Sequence, residues 1–134
     1  MALLLARWPP GRLPAGTLVT WVPGHPLRTF AAPDSGRALA AALAGREDGV
    51  EHAALLSRSP LGRRQARRDA ADRRAGATRL GLRAVGTPRG AVVLVDDVRT
   101  TGASLDHASR LLLEAGATSV FSITVAAAPA ELDR

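Results

Sequence analysis

Apolar and polar positions alternate between two patterns along the chain. Residues 18–22, Leu18-Val19-Thr20-Trp21-Val22, form a short run rich in β-branched side chains and closed by Pro23-Gly24, which predicts a first strand. A helix is predicted over 36–45, with Ser35 as N-cap and Gly45 as stop. Ala53-Ala54-Leu55-Leu56 is a candidate second strand. Ala91-Val92-Val93-Leu94-Val95 is apolar at every position, as in a parallel strand buried on both faces. From Ser104 the period changes: Leu105, Ala108, Leu111, Leu112 and Ala115 recur at helical spacing until Gly116 ends the segment. Val120-Phe121-Ser122-Ile123-Thr124-Val125 is the next strand. Strand, loop, helix and strand in such close succession make a βαβ unit, so the expected fold is α/β, a mostly parallel sheet flanked by helices.

The flanks are less regular. Residues 1–16 read as the tail of a helix followed by an irregular loop broken by Pro9, Pro10, Gly11, Pro14 and Gly16. The opening helical fragment is short, and a chain truncated relative to longer relatives is the expectation. Residues 58–83 are basic, with a helix predicted over 61–74 on which Arg68–Asp72 and Asp69–Arg73 stand at i,i+4 spacing. His52 is expected in a loop and His107 on an exposed helix face. There is no internal repeat, and 134 residues make one domain.

Composition narrows the chemistry. With 46% hydrophobic and 22% charged residues the chain has the balance of a globular protein. It contains no cysteine, which excludes disulfides, thiolate metal sites and a cysteine nucleophile. All 18 basic residues are arginine, so there is no lysine for a GxxxxGK[ST] phosphate loop or a Schiff base. The net charge of +6 favours phosphates, nucleic acid or anionic surfaces without choosing among them. No apolar run approaches the ~20 residues of a membrane span, and the start is too short for a signal peptide, so a cytoplasmic location is expected.

The loop Asp96-Asp97-Val98-Arg99-Thr100-Thr101-Gly102-Ala103-Ser104 joins the most buried strand to its helix. Ligands of open α/β sheets bind at the carboxyl ends of strands. Gly102 permits a tight turn and close backbone approach. Amides from Thr100 to Ser104, the helix N-terminus and the hydroxyls of Thr100, Thr101 and Ser104 would suit a dianionic phosphate monoester. Asp96 and Asp97 would face the attached sugar and accept from vicinal ribose hydroxyls. They would also orient a Mg²⁺ ion held mainly by the ligand's own oxygens. The alternative is ordinary capping, for which Asp and Thr are common.

Residues 92–104 resemble the phosphoribosyl pyrophosphate (PRPP) motif of type I phosphoribosyltransferases. Val22-Pro23-Gly24-His25-Pro26-Leu27-Arg28 is similar to the VPxHPxR segment of the ComF branch, associated with competence for DNA uptake, and Gln65 and Arg73 stand at that branch's spacing. The resemblance covers roughly residues 18–128. It implies a type I phosphoribosyltransferase-like fold and a PRPP 5′-phosphate site at Arg99, Thr100, Thr101, Gly102, Ala103 and Ser104. It implies Asp96 and Asp97 as catalytic residues. Gly24, His25 and Arg28 would meet pyrophosphate, although His25 also fits simple packing between prolines. The implied reaction displaces pyrophosphate from PRPP with an unknown nucleobase, through an oxocarbenium-like transition state. Three features depart from the branch: there is no cysteine-rich zinc ribbon, residues 31–36 replace an RGFNQ-like segment, and Gly76 stands for an asparagine. Thr100 occupies the position where purine-specific members carry an aspartate.

A module that binds PRPP without turnover is the other reading of the same motif. Arg63, Arg64, Arg67, Arg68 and Arg73 have three readings: a solvated helix, a contact for single-stranded DNA, or closure over pyrophosphate. With aromatics at 3%, a base-stacking platform is disfavoured. The resemblance also allows a homodimer, since many members of the family dimerise.

Overall fold

The computed structural model describes residues 9–24, 34–59, 81–99 and 102–127, with only the backbone of 97–99 and 126–127. The elements are β1 (Leu18–Trp21), α1 (Ser35–Ala44), β2 (Glu51–His52), β3 (Leu56–Arg58), β4 (Leu82–Ala84), β5 (Gly90–Arg99), α2 (Ala103–Glu114) and β6 (Ala117–Ala127). Four strands form a sheet in the order β2-β1-β5-β6, every neighbour parallel, and β3 pairs antiparallel with β4 in a small second sheet. The expected α/β architecture, a mostly parallel sheet with flanking helices, is the one observed.

Strand alternation sends side chains of β5 to two cores. Val92 and Leu94 pack with Leu105, Ala108 and Leu112 of α2, together with Leu55, Leu56 and Leu82. Val93 and Val95 pack with Leu39, Ala40, Leu43 and Ala44 of α1 and with Val19. The two helices therefore cover opposite faces, which is why β5 is apolar at successive positions rather than alternate ones. Glu47, a buried carboxylate, accepts from the backbone N–H groups of Arg12 and Leu13 at 3.3 Å each and so pins the irregular N-terminal segment.

Several boundaries differ from expectation. The N-cap of α1 is Asp34, not Ser35: Asp34 Oδ1 accepts from Arg37 N while its backbone stays extended. The predicted strand at 53–56 is split. Ala53 N still donates to Val19 O, but Leu55 N turns to the buried Thr20 Oγ1, and the chain then joins β4 rather than the main sheet. β5 runs on through Arg99, so Asp96 and Asp97 lie in the strand and not in a loop. α2 starts one residue before Ser104, and β6 begins at Ala117 rather than Val120. The helices expected at the extreme N-terminus and over 61–74 lie outside the described residues.

Both histidine expectations are corrected. His52 is an exposed strand residue of β2, paired with Val19. His107 is buried, at 5% exposure, because α2 packs against β4 as well as β5 and β6 and so is covered over a wide arc. Among the described residues its Nε2 finds no hydrogen-bond partner. Burial first, then Arg110 one turn on, lower its pKa, with Glu114 opposing. The unfolded chain then binds the proton better, so stability is complete above the unfolded histidine value of about 6.5 and is lost as pH falls below it. We expect the melting temperature to decline below about pH 6.5, and His107→Leu to flatten that decline in scanning calorimetry; an identical decline in the variant would assign it to other groups.

Candidate phosphate and ribose site

The two crossovers leave β1 and β5 in opposite directions: α1 carries the chain outward to β2 on one face, and α2 carries it to β6 on the other. The carboxyl ends of these two strands thus flank the switch point where α/β sheets open a crevice. A cleft of about 190 Å³ lies there, lined by Val22, Pro23 and Gly24 beyond β1, Asp96 of β5, Ser104 of α2, Asp34, Ser35 and Gly36 at the head of α1, and Arg58 of β3.

Local geometry explains why these residues converge. Gly102 caps α2 in the left-handed region, at φ 79°, where a side chain would be strained. Gly102 itself offers no side-chain cap, and the N-terminus of α2 brings its positive potential to the cleft beside Ser104. On the other wall Asp34 is doubly engaged, accepting from Trp21 Nε1 at 3.0 Å and from Arg37 N at 3.3 Å. Gly36 suits this packing, since a Cβ there would lie 3.2 Å from that of Trp21, a tight approach.

Arg58 links the small sheet to the cleft. Its Nε donates to the carbonyl of Pro23 at 3.1 Å, on the loop that follows β1. Burial lowers the guanidinium pKa and the nearby Asp96 carboxylate raises it, so a partly buried cation and an anion both line the cleft. Ser59 N donates to Gly81 O at 2.9 Å, which closes the base of the basic segment 60–80 next to Arg58.

Of the residues expected from sequence, the structure brings Gly24, Asp96 and Ser104 to the cleft and sets Gly102 and Ala103 at the head of α2. Asp97 and Arg99 belong to the backbone of β5, with side chains outside the described atoms. Thr100, Thr101, His25, Arg28 and Arg63, Arg64, Arg67, Arg68 and Arg73 lie outside the described residues. Gly24 and Asp34, which flank 25–33, both line the cleft. Sequence reasoning missed Arg58, Asp34, Ser35 and Gly36. Arg58 carried no signal beyond its place at the start of an arginine-rich run, while Asp34 adjoined the residue taken for the cap.

Among the described residues there is no cluster of three metal-ligating side chains. The cleft is lined by two carboxylates, Asp96 at the end of β5 and Asp34, which accepts from Trp21 and Arg37. Such a sparse set fits a Mg²⁺ ion that keeps its waters and is held chiefly by phosphates of a ligand. Among the described residues no helix is long and apolar enough to cross a membrane.

A scan against protein-family models finds no match, and a search of curated proteins finds none. Solved structures do match. The glutamine PRPP amidotransferase from B. subtilis, complexed with ADP and GMP, superposes over 91% of this chain with a TM-score of 0.60 and 23% identity. A structure described as the allosteric regulatory enzyme of purine biosynthesis superposes over 85%, with a TM-score of 0.59 and 26% identity. The chain spans about a quarter of each neighbour's length, 24% and 22%. Parallel sheet, opposed helices, a cleft at the switch point and these neighbours together show that the chain has the type I phosphoribosyltransferase fold.

Proposed function

We propose that the chain binds PRPP at the cleft between β1 and β5 and acts as a phosphoribosyltransferase, displacing pyrophosphate with a nucleobase. The observation that carries this reading is the convergence of Asp96, Ser104, Gly24 and Arg58 on one cleft at the N-terminus of α2. The 5′-phosphate would take the positive potential at the N-terminus of α2 and the Ser104 hydroxyl. Asp96 would accept from the ribose hydroxyls, with Asp97 its partner in that role. Gly24, followed in sequence by His25 and Arg28, would meet pyrophosphate.

In the transfer the nucleobase nitrogen bonds to the anomeric carbon as the bond to pyrophosphate breaks, pyrophosphate leaving with the electron pair and the base nitrogen losing its proton. A bound Mg²⁺ would neutralise charge on the departing pyrophosphate. The chain's own contribution is positioning: a fixed helix terminus for the phosphate, a carboxylate near the carbon that gains positive charge, and a guanidinium at the opposite wall. Arg58 stands where the basic segment begins, which favours closure over pyrophosphate as the role of its arginines over nucleic-acid contact. Placement in the ComF branch would rest on residues 22–28 and on the spacing of Gln65 and Arg73.

Trp21 gives a direct test, since its indole is bonded to Asp34 on the cleft wall. Trp8 and Trp21 are the two tryptophans, so a Trp8→Phe variant leaves Trp21 as sole reporter. PRPP with Mg²⁺ should change its emission saturably, and pyrophosphate should compete. An emission unchanged by millimolar PRPP would refute binding at this cleft. Turnover is read separately as pyrophosphate released with a panel of nucleobases, and its loss in Asp97→Asn would assign the step to this site.

A further inference from the structure

The small sheet sets one cation in an unusual place. Across β3 and β4, Arg58 stands opposite Leu82 and Leu56 opposite Ala84. Directly opposite residues share a face, and so do residues two apart on one strand. Leu56 and Leu82 are both buried in the core shared with α2, so Arg58 occupies the core-facing side of β3. Its neighbour Ser57 belongs to the other face, where its Oγ accepts from the exposed Arg83 Nε at 3.0 Å. An arginine on the core-facing side gives up hydration, and an apolar residue would fill the position at less cost. Burial accordingly lowers the guanidinium pKa.

What this side chain holds is the chain leaving β1. Val22 N still donates to Val95 O at 3.2 Å, but Pro23 has no N–H with which to continue the ladder. The Pro23 carbonyl instead accepts from Arg58 Nε at 3.1 Å. Arg58 is itself fixed from both sides along the chain, since Leu55 N donates to Thr20 Oγ1 at 3.2 Å and Ser59 N to Gly81 O at 2.9 Å. The Pro23–Gly24 peptide is trans, and a planar trans peptide directs its N–H opposite to its carbonyl. Holding the Pro23 carbonyl toward β3 therefore settles the direction of the Gly24 N–H, on a residue that lines the cleft.

We propose that Arg58 is a positioning residue for the pyrophosphate half of the cleft: through the Pro23 carbonyl it fixes the plane of the Pro23–Gly24 peptide, so that the Gly24 N–H is presented to a pyrophosphate group. The inference rests on the PRPP reading above and adds the residue that sets how the cleft takes its second anionic group. Gly24 has no side chain to keep a ligand oxygen from that amide. Asp96, lining the same cleft, favours the charged form of the guanidinium. Ribose 5-phosphate, taken at Asp96 and the N-terminus of α2, does not use this peptide. Arg58 therefore acts on pyrophosphate and leaves the phosphate and ribose half alone.

Two variants of similar length separate position from charge. Arg58→Gln removes the charge but keeps an N–H donor on Cδ, where arginine carries Nε, whereas Arg58→Met removes both. Wild type and variants are titrated calorimetrically with inorganic pyrophosphate plus Mg²⁺ and with ribose 5-phosphate, with circular dichroism and melting curves as controls. Arg58→Met should weaken pyrophosphate binding about tenfold, the loss of one hydrogen bond to a charged group, and change ribose 5-phosphate binding little. Arg58→Gln should recover most of that loss. Equal losses in the two variants overturn the inference, because the cation would then act by its charge. So do an unchanged pyrophosphate affinity in Arg58→Met, parallel losses for both ligands, or a wild type that binds ribose 5-phosphate and no pyrophosphate. Where Arg58→Met does not fold, Arg58→Gln decides alone: a loss of about tenfold there overturns the inference, and a retained affinity supports it. A wild type that binds neither ligand overturns the PRPP reading and this inference with it.

Discussion

Asparagine at both Asp96 and Asp97 is expected to weaken PRPP binding at least tenfold while the chain stays folded. A carboxylate accepting from a ribose hydroxyl makes a charge-assisted hydrogen bond worth about 1.5–3 kcal/mol, and about 1.4 kcal/mol is a factor of ten in affinity. Asp96 sits at the cleft, partly buried and near Arg58, so its charge is screened less than on an open surface. The fold should survive because β5 is held by Val92, Val93, Leu94 and Val95 and by pairing to β1 and β6 on either side. Comparing PRPP affinity of wild type and the double variant, with melting curves as control, checks this. Unchanged affinity would remove the aspartates from the ribose role.

The largest expected effect on stability is at Leu94. It is fully buried in the central strand β5, beside Leu105 and Leu112 of α2 and Leu55 of the segment leading to β3. Truncating such a leucine removes its transfer energy and leaves a cavity that neighbours on separate elements cannot all close, a cost of about 2–5 kcal/mol. Against a total of about 5–15 kcal/mol this is a large share, and the melting temperature should fall by about 10 °C or more. Phe121→Ala serves as the contrast, since Phe121 is mostly exposed and should change the melting temperature little. Equal losses at the two positions would contradict the assignment of the core.

Much of this arrangement was legible in the chain, for physical reasons that differ from element to element. Val92 to Val95 are apolar in succession because both sheet faces are covered, and that pattern has few other causes. Gly102 and Gly116 mark the two ends of α2 because each adopts a positive φ, at 79° and 120°. The split of the second strand was not legible. It depends on Thr20, fully buried, diverting the amide of Leu55 through its hydroxyl, which is a long-range contact with no local trace.

The site was readable in part for a similar reason. Asp96 and Ser104 belong to one contiguous motif, and Gly24 ends the first strand. Arg58 comes to the cleft only because β3 leaves the main sheet and turns back beneath the loop at Pro23. Burial of His107 likewise reflects the packing of β4 on α2, beyond what the leucine stripe of the helix discloses.

The central claim is that the cleft between β1 and β5 is a PRPP site, and calorimetric titration tests it most directly. Purified protein is titrated with PRPP in the presence and absence of Mg²⁺, and with ribose 5-phosphate for comparison. The account predicts saturable, Mg²⁺-dependent heat with PRPP and weaker binding of ribose 5-phosphate, which engages only the phosphate and ribose half. No saturable heat with either ligand at millimolar concentration would contradict it.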